Sequence, residues 1–136
     1  MKLLYKFEIN KLMKKICIMI IKYFYKGKLY MENKVKSIVA KYIKLYRGRG
    51  PLYIKVISKD NLLEIEIKGV LSTVGQYLVK RGAAHLPEMA WNELKDMFLD
   101  SVIDELCSEV GKKCSLVLEK TDFHNDTRNM VIKVDN

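Results

Sequence analysis

Arg47-Gly48-Arg49-Gly50-Pro51 is the stretch that decides the fold prediction, because it separates a helical pattern from an alternating one. Glycine lacks the Cβ atom that penalises positive φ, and Pro51 prevents a helix from running through, so the chain must turn here. The two arginines also place guanidinium groups beside free backbone N–H groups, which suits a carboxylate, bicarbonate or phosphate. The stretch therefore predicts a helix-to-strand turn and, as a second interpretation, an anion or partner site.

The residues on either side of this turn show two different periodicities. Upstream, over residues 33–46, apolar side chains recur at helical spacing, and we expect Asn33 to cap that helix. They are Val35, Ile38, Val39, Tyr42, Ile43 and Tyr46. Downstream, residues 52–58 and 62–68 alternate apolar and polar side chains around Asp60-Asn61, a pair typical of turns. These patterns predict a helix followed by an antiparallel hairpin with one apolar face.

Two further helices are predicted in the middle of the chain. Ser72 or Thr73 is expected to cap a short helix that ends at Lys80. A long helix is predicted from about Pro87 to Val110 and is ended by a glycine at position 111. Its apolar stripe consists of Trp91, Leu94, Phe98, Val102, Leu106 and Val110, widened by Leu99 and Ile103.

The C-terminal part of the chain predicts a second hairpin. Residues 114–121 and 129–135 have strand-like sequences, and residues 122–128 connect them. The predicted order is α-β-β-α(α)-β-β. We therefore predict an α+β two-layer sandwich, in which an antiparallel four-stranded sheet made of two hairpins is covered by helices.

The positive charge of the chain is concentrated at its N-terminus. The net charge is +9, yet residues 1–30 alone carry eight lysines and one acid. Residues 31–136 carry 17 basic and 15 acidic side chains and are nearly neutral. We therefore predict a basic, apolar N-terminal extension, residues 1–30, and a single domain, residues 31–136. Binding of nucleic acid or anionic lipid through basic charge would rest on the extension alone.

The extension has three interpretations from sequence. Its apolar run from Ile16 to Ile21 is much shorter than the ~20 residues that a membrane-spanning helix needs. It is a basic amphipathic helix lying on a membrane, a helix packed on the domain, or a translated leader that precedes a true start at Met31.

Catalytic and metal-binding patterns are weak in this sequence. The three cysteines show no C-x-x-C spacing, and their odd number fits a reduced cytosolic protein better than a secreted one. Asp122-x-His124-x-Asp126 alternates side chains of types that bind metal ions, but no further strong ligand is visible in the sequence. The same residue types are expected in a tight connection between two strands. The acidic row on the long helix, formed by Glu93, Asp96, Asp100 and Asp104, is expected to be a solvated face. We expect no cofactor, no metal site and no enzymatic activity.

Three segments from Met31 onward resemble the MpsC family, which is named for a Na+-translocating membrane-potential-generating system. The first is Tyr46-Arg47-Gly48-Arg49-Gly50-Pro51, similar to the G-R-G-P turn of the family. The second is Gly69-Val70-Leu71-Ser72, similar to its G-V-L-T. The third is the long helix that ends at Gly111, followed by a strand, Asp122 and a last strand that closes on an aspartate. The chain departs from the family pattern at two places. After Ser72 the family tends to carry Pro and Glu, where this chain has Val74-Gly75-Gln76, and an expected Arg-Pro is missing inside the long helix.

The resemblance implies a cytoplasmic accessory or regulatory domain that acts beside a membrane ion or inorganic-carbon transport system, peripherally at the membrane, without moving ions itself. The expected partner is a membrane transport protein or another protein. The candidate ligand or partner contacts are Arg47, Gly48, Arg49, Gly50, Pro51 and Ser72. Alternatives are a regulatory domain that binds a small anion or a nucleotide, and nucleic-acid binding through the basic N-terminus, although nucleic acid is not the expected partner. An exposed hairpin edge would also permit a homodimer through strand pairing.

Overall fold

A computed structural model describes residues 2–135, with side chains described from Glu8 onward. The chain divides into two compact units, Met1–Met31 and Glu32–Asn136. The prediction for the N-terminal extension therefore lies partly outside the described residues, at Met1 and in the side chains of residues 1–7.

The first helix, α1, spans Lys2–Arg47. The prediction that Asn33 caps a helix is wrong, because Asn33 lies inside α1. Residues 2–47 contain no proline, and a single glycine costs only about 1 kcal/mol inside a helix, so nothing in the local sequence forces a helix end before Gly48.

The remaining elements lie in the second unit and follow the predicted order. Strands β1 (Tyr53–Lys59) and β2 (Leu62–Lys68) come first. Helices α2 (Thr73–Lys80) and α3 (His85–Val110) follow. Strands β3 (Cys114–Asp122) and β4 (Thr127–Val134) complete the chain. Gly111 ends α3 in the left-handed conformation at φ +66°, as expected for a helix-ending glycine.

The sheet joins the two predicted hairpins edge to edge. All its pairs are antiparallel, and the strand order is β1-β2-β4-β3. The two hairpins therefore meet through β2 and β4, where Ile65 lies opposite Met130 and Ile67 lies opposite Arg128. Strands β1 and β3 form the two edges of the sheet, and β3 carries a register irregularity between Leu116 and Leu118.

The core of the second unit lies between one face of this sheet and the helices. The helices contribute seven buried aliphatic side chains and Phe98, which is fully buried. These aliphatic residues are Val35, Ile38, Val39, Ile43, Leu99, Val102 and Leu106. The sheet contributes Val56, Leu63, Ile65, Ile67, Met130 and Ile132. The two-layer α+β fold and most of the predicted apolar stripes are confirmed. Two residues differ: Leu52 precedes β1 and is exposed, and Leu94, predicted in the stripe of the long helix, is also exposed.

Ion pairs on the surface connect the C-terminal part of α1 with α3. The ammonium of Lys41 donates to both carboxylate oxygens of Glu105, at 2.8 and 2.9 Å, and Lys34 lies 3.4 Å from Glu109. The hydrogen bond to Lys41 lowers the pKa of Glu105 below its usual value. The four acidic residues of the predicted solvated face (Glu93, Asp96, Asp100 and Asp104) are all exposed.

Candidate functional site

The first arginine of the predicted site lies inside the protein. Arg47 is the last residue of α1 and is 7% exposed. Its Nε donates to the carbonyl of Leu71 at 2.7 Å, and its Nη1 donates to the carbonyl of Gly50 at 2.6 Å. Its Nη2 is buried and has no hydrogen-bond partner within residues 8–135. Desolvation by burial, followed by the nearby charge of Arg49, lowers the pKa of Arg47.

The other residues of the turn lie closer to solvent. Gly48 has φ +89° and donates its N–H to the carbonyl of Lys44 at 2.9 Å, which ends α1. Gly48, Arg49 and Gly50 are exposed, and Pro51 is half-buried. The turn therefore does not present its two guanidinium groups on one surface, because that of Arg47 is buried and Arg49 is exposed.

Ser72 lies beside the buried arginine because it follows Leu71, the acceptor of Arg47 Nε. It is the N-cap of α2, and its Oγ accepts the N–H of Gly75 at 3.0 Å. The prediction that Ser72 or Thr73 caps this helix is therefore confirmed for Ser72. Since Oγ accepts in this bond, the hydroxyl hydrogen of Ser72 is free to donate.

Gly69 gives Arg47 the room to reach its acceptors. It has φ +87°, and a Cβ placed there would lie 2.8 Å from the backbone N of Leu52 and 3.1 Å from Arg47 Nη1. Both the backbone conformation and the close approach of another backbone therefore require glycine.

Gly69→Ala is expected to destabilise the protein by about 1–3 kcal/mol, because strained φ and a backbone contact add. Gly82→Ala is the matched control: Gly82 has φ +79°, yet a Cβ there would have no atom within 4 Å. Urea unfolding followed by circular dichroism measures both. Equal losses of stability in the two variants would show that the contact with Leu52 and Arg47 contributes nothing.

Asp126 connects the β3–β4 turn to the segment that follows β2. Its Oδ1 accepts the N–H groups of Val70 and Leu71 at 2.9 and 2.7 Å, and its Oδ2 accepts from Gln76 Nε2 at 3.3 Å. Its own carbonyl accepts the N–H of Gly69 at 2.9 Å. The carboxylate thus fixes the segment that supplies Leu71, the acceptor of Arg47. Sequence reasoning singled out Asp126 only as a weak metal ligand.

A second buried arginine, which sequence reasoning missed, lies near the first. Arg128 is 5% exposed, and its guanidinium carbon lies 3.3 Å from the ring centroid of Trp91. Its Nε donates to Thr121 Oγ1 at 2.9 Å and lies 3.8 Å from the carboxylate of Glu119. Burial lowers the pKa of Arg128 to about 10, so the side chain stays charged at neutral pH.

Both arginines line a cavity in the second unit. Its volume is about 270 Å³, and its walls come from the end of α1, the segment after β2, helices α2 and α3, and the β3–β4 hairpin. The lining also includes Ser72 and Gly75, and its remaining residues are apolar or aromatic. These are Ile43, Tyr46, Val70, Leu71, Val74, Leu78, Leu86, Pro87, Ala90, Trp91, Leu94 and Phe123.

Asp122, the first residue of the Asp122-x-His124-x-Asp126 pattern, has a local role in the β3–β4 turn. Asp122 accepts the backbone N–H and the side-chain amide of Asn125, which holds the turn, and these bonds lower the pKa of Asp122. Across the part of the chain that the structure describes, no three His, Cys, Asp or Glu side chains are grouped as a metal ion would require. No helix within residues 2–135 combines the length and hydropathy of a membrane span.

Comparison with known protein families identifies a match for most of the chain. The model of the MpsC family, described as the Na+-translocating membrane potential-generating system, matches residues 27–136. The match covers all of the second unit, including the turn at Arg47 and the cavity. Comparisons with curated proteins and with solved structures give no significant match.

Proposed function

The chain belongs to the MpsC family, and from this premise we propose that it is an accessory module of a Na+-translocating membrane-potential system. In this role the protein does not carry ions. It binds a membrane component of the system from the cytoplasmic side, and the folded second unit acts as the regulatory part.

The observation that carries this proposal is the composition of α1 in the first unit. Lys11, Lys15, Lys22 and Lys26 follow one another at spacings of four, seven and four, so they share one side of the helix. Large apolar side chains on the other side are exposed, and they include Ile9, Met13, Ile16, Ile20 and Phe24, whereas the exposed Ile18 and Met19 lie on the lysine side. A basic helix with a wide apolar side suits the interface of a membrane, where lysines meet anionic head groups and apolar side chains enter the acyl boundary.

Co-purification tests the accessory role. The tagged full chain is recovered from detergent-solubilised membranes of its source cells, and the expected result is a polytopic membrane subunit in a fixed ratio to the chain. A matched control uses the chain with Ile16→Asp and Ile20→Asp, which should recover less of that subunit. Failure of the unaltered chain to recover any polytopic subunit would overturn the accessory role.

Ile16→Asp is expected to weaken binding to vesicles of anionic phospholipid by about tenfold or more, because a buried isoleucine contributes about 1.5–3 kcal/mol. Asn10→Asp is the matched control, since it makes the same change in charge without removing an apolar side chain. Flotation of the full chain with anionic and with zwitterionic vesicles measures the binding. If both variants weaken binding equally, charge alone holds the helix to the membrane.

A second candidate function is recognition of a small anion, and the unpaired Nη2 of Arg47 favours it. The residues proposed for it are Arg47, Gly48, Arg49, Gly50, Pro51 and Ser72. Isothermal titration with bicarbonate, phosphate and nucleotides tests this function. Arg49→Ala should weaken any binding at the exposed turn, and unchanged affinity in that variant would rule out Arg49 as a ligand.

A further inference from the structure

We propose that the cavity lined by Arg47 and Arg128 binds an aliphatic monocarboxylate of about eight carbons. This deepens the second candidate function, because it names the class of anion and the cavity that takes it. It does not depend on the accessory role or on α1 of the first unit.

The apolar walls of the cavity argue against a fully hydrated inorganic anion. Twelve of its sixteen lining residues are aliphatic or aromatic. An inorganic anion would lose its hydration there without gaining enough partners, whereas an aliphatic body gains from burial against such walls. The ligand therefore needs an apolar part as well as a charge.

Arg47 forms the positive end of the proposed ligand site. Arg47 Nη2 is a charged donor without a partner, and an unsatisfied buried donor costs about 1–3 kcal/mol. A carboxylate oxygen would supply the missing acceptor in a charge-assisted hydrogen bond. The carboxylates of Asp126 and Glu119 do not line the cavity, so no negative side chain in its walls opposes an anion.

The first turn of α2 adds further donors on the same side. The N–H groups of Thr73 and Val74 have no acceptor among the described residues, and the Ser72 hydroxyl is free to donate. Ser72 and Val74 line the cavity. The N-terminus of a helix favours an anion through these N–H groups and through the helix dipole.

The volume sets the length of the aliphatic body. A cavity of about 270 Å³ lies just below the usual range of small-molecule pockets, about 300–1,000 Å³, so it suits a short aliphatic chain better than a long one. Octanoate is a ligand of this class, with its carboxylate at Arg47. The exposed side chains of Val74, Leu86 and Leu94 at the rim place the opening of the cavity between α2 and α3.

Fluorescence of Trp91 provides the measurement, because it is the chain's single tryptophan and lines the cavity. The full chain is titrated with octanoate, 1-octanol and acetate, and calorimetry gives the stoichiometry. Octanoate is expected to change the emission saturably with one site per chain. Octanol lacks the charge and acetate lacks the body, so each should bind at least tenfold more weakly. Equal binding of octanol and octanoate, or no saturable response to octanoate, would overturn the proposal.

Two variants test the position of the site without altering buried residues. Val74→Asp places a like charge at the rim, on a side chain that is 68% exposed, and should weaken octanoate binding about tenfold or more. Ala90→Phe should fill the cavity and have a similar effect. Met97→Asp, an exposed site on α3 outside the cavity, is the control and should bind octanoate like the unaltered chain. Unchanged affinity in both cavity variants would overturn the proposal.

A bicarbonate titration in parallel separates this proposal from the broader anion function. Bicarbonate binding without any response to octanoate overturns the cavity proposal and leaves the second candidate function standing. Octanoate binding without a response to bicarbonate supports the cavity proposal and limits the second candidate function to organic anions.

Discussion

Replacing Arg128 with alanine is expected to lower the free energy of unfolding by about 3–5 kcal/mol, the range for breaking a buried ion pair from one side. The change leaves the carboxylate of Glu119, whose side chain is 13% exposed, without its cation. It also removes the guanidinium that covers the ring of Trp91 at 3.3 Å and the donor to Thr121. The chain then holds a half-buried negative charge, with the Thr121 hydroxyl at 2.6 Å as its hydrogen-bond donor, beside an enlarged cavity.

The measurement is urea unfolding followed by far-ultraviolet circular dichroism. Fluorescence is unsuitable here, because the emission of Trp91 responds directly to the loss of its neighbour Arg128. Glu119→Gln in the Arg128→Ala background is the control and should recover part of the lost stability, since it removes the unpaired charge. The free energy of unfolding of Arg128→Lys should lie between those of the unaltered chain and Arg128→Ala. An ammonium keeps the charge but cannot both stack on Trp91 and donate in the same plane. A loss under 1 kcal/mol for Arg128→Ala would contradict the structural role given to this side chain.

The positions of both buried arginines were contained in the periodicities of the sequence. Arg128 precedes Met130 and Ile132 at strand spacing, so all three lie on the same face of β4. Arg47 follows Val39 and Ile43 at intervals of four and so continues the apolar stripe of α1. Sequence reasoning treated arginine as a surface residue and ended each stripe before it. An arginine at a core position of a regular pattern is the signal that it missed.

The order of the elements and the two hairpins followed from local sequence, because turn residues and short-range alternation encode them. The joining of the hairpins through β2 and β4 did not, since the alternation in each strand is compatible with several strand orders. The same limit applies to the cavity. Its walls come from segments as distant in sequence as Ile43 and Arg128, and no local pattern brings them together.

Asp126 shows most clearly what a single sequence conceals. Its pattern with Asp122 and His124 suggested metal ligands, whereas its carboxylate accepts from backbone groups more than 50 residues away. Asp126→Ala is expected to lower the free energy of unfolding by about 2–4 kcal/mol, because the N–H groups of Val70 and Leu71 lose their acceptor. Amide hydrogen exchange should then accelerate at both groups, while the distant pairs of β1 with β2 keep their protection.

Part of that loss comes from the backbone, since alanine is strained at the φ of +53° that Asp126 adopts. Asp60 is the matched control, because it occupies the other hairpin turn at φ +55° and its side chain is exposed to solvent. Asp60→Ala should therefore report the backbone strain alone, at about 1 kcal/mol. The difference between the two alanine variants measures the hydrogen bonds that Asp126 makes to the segment after β2. If the two variants are equally destabilised, these bonds contribute nothing, and the segment that supplies the acceptor of Arg47 must be held by its other contacts.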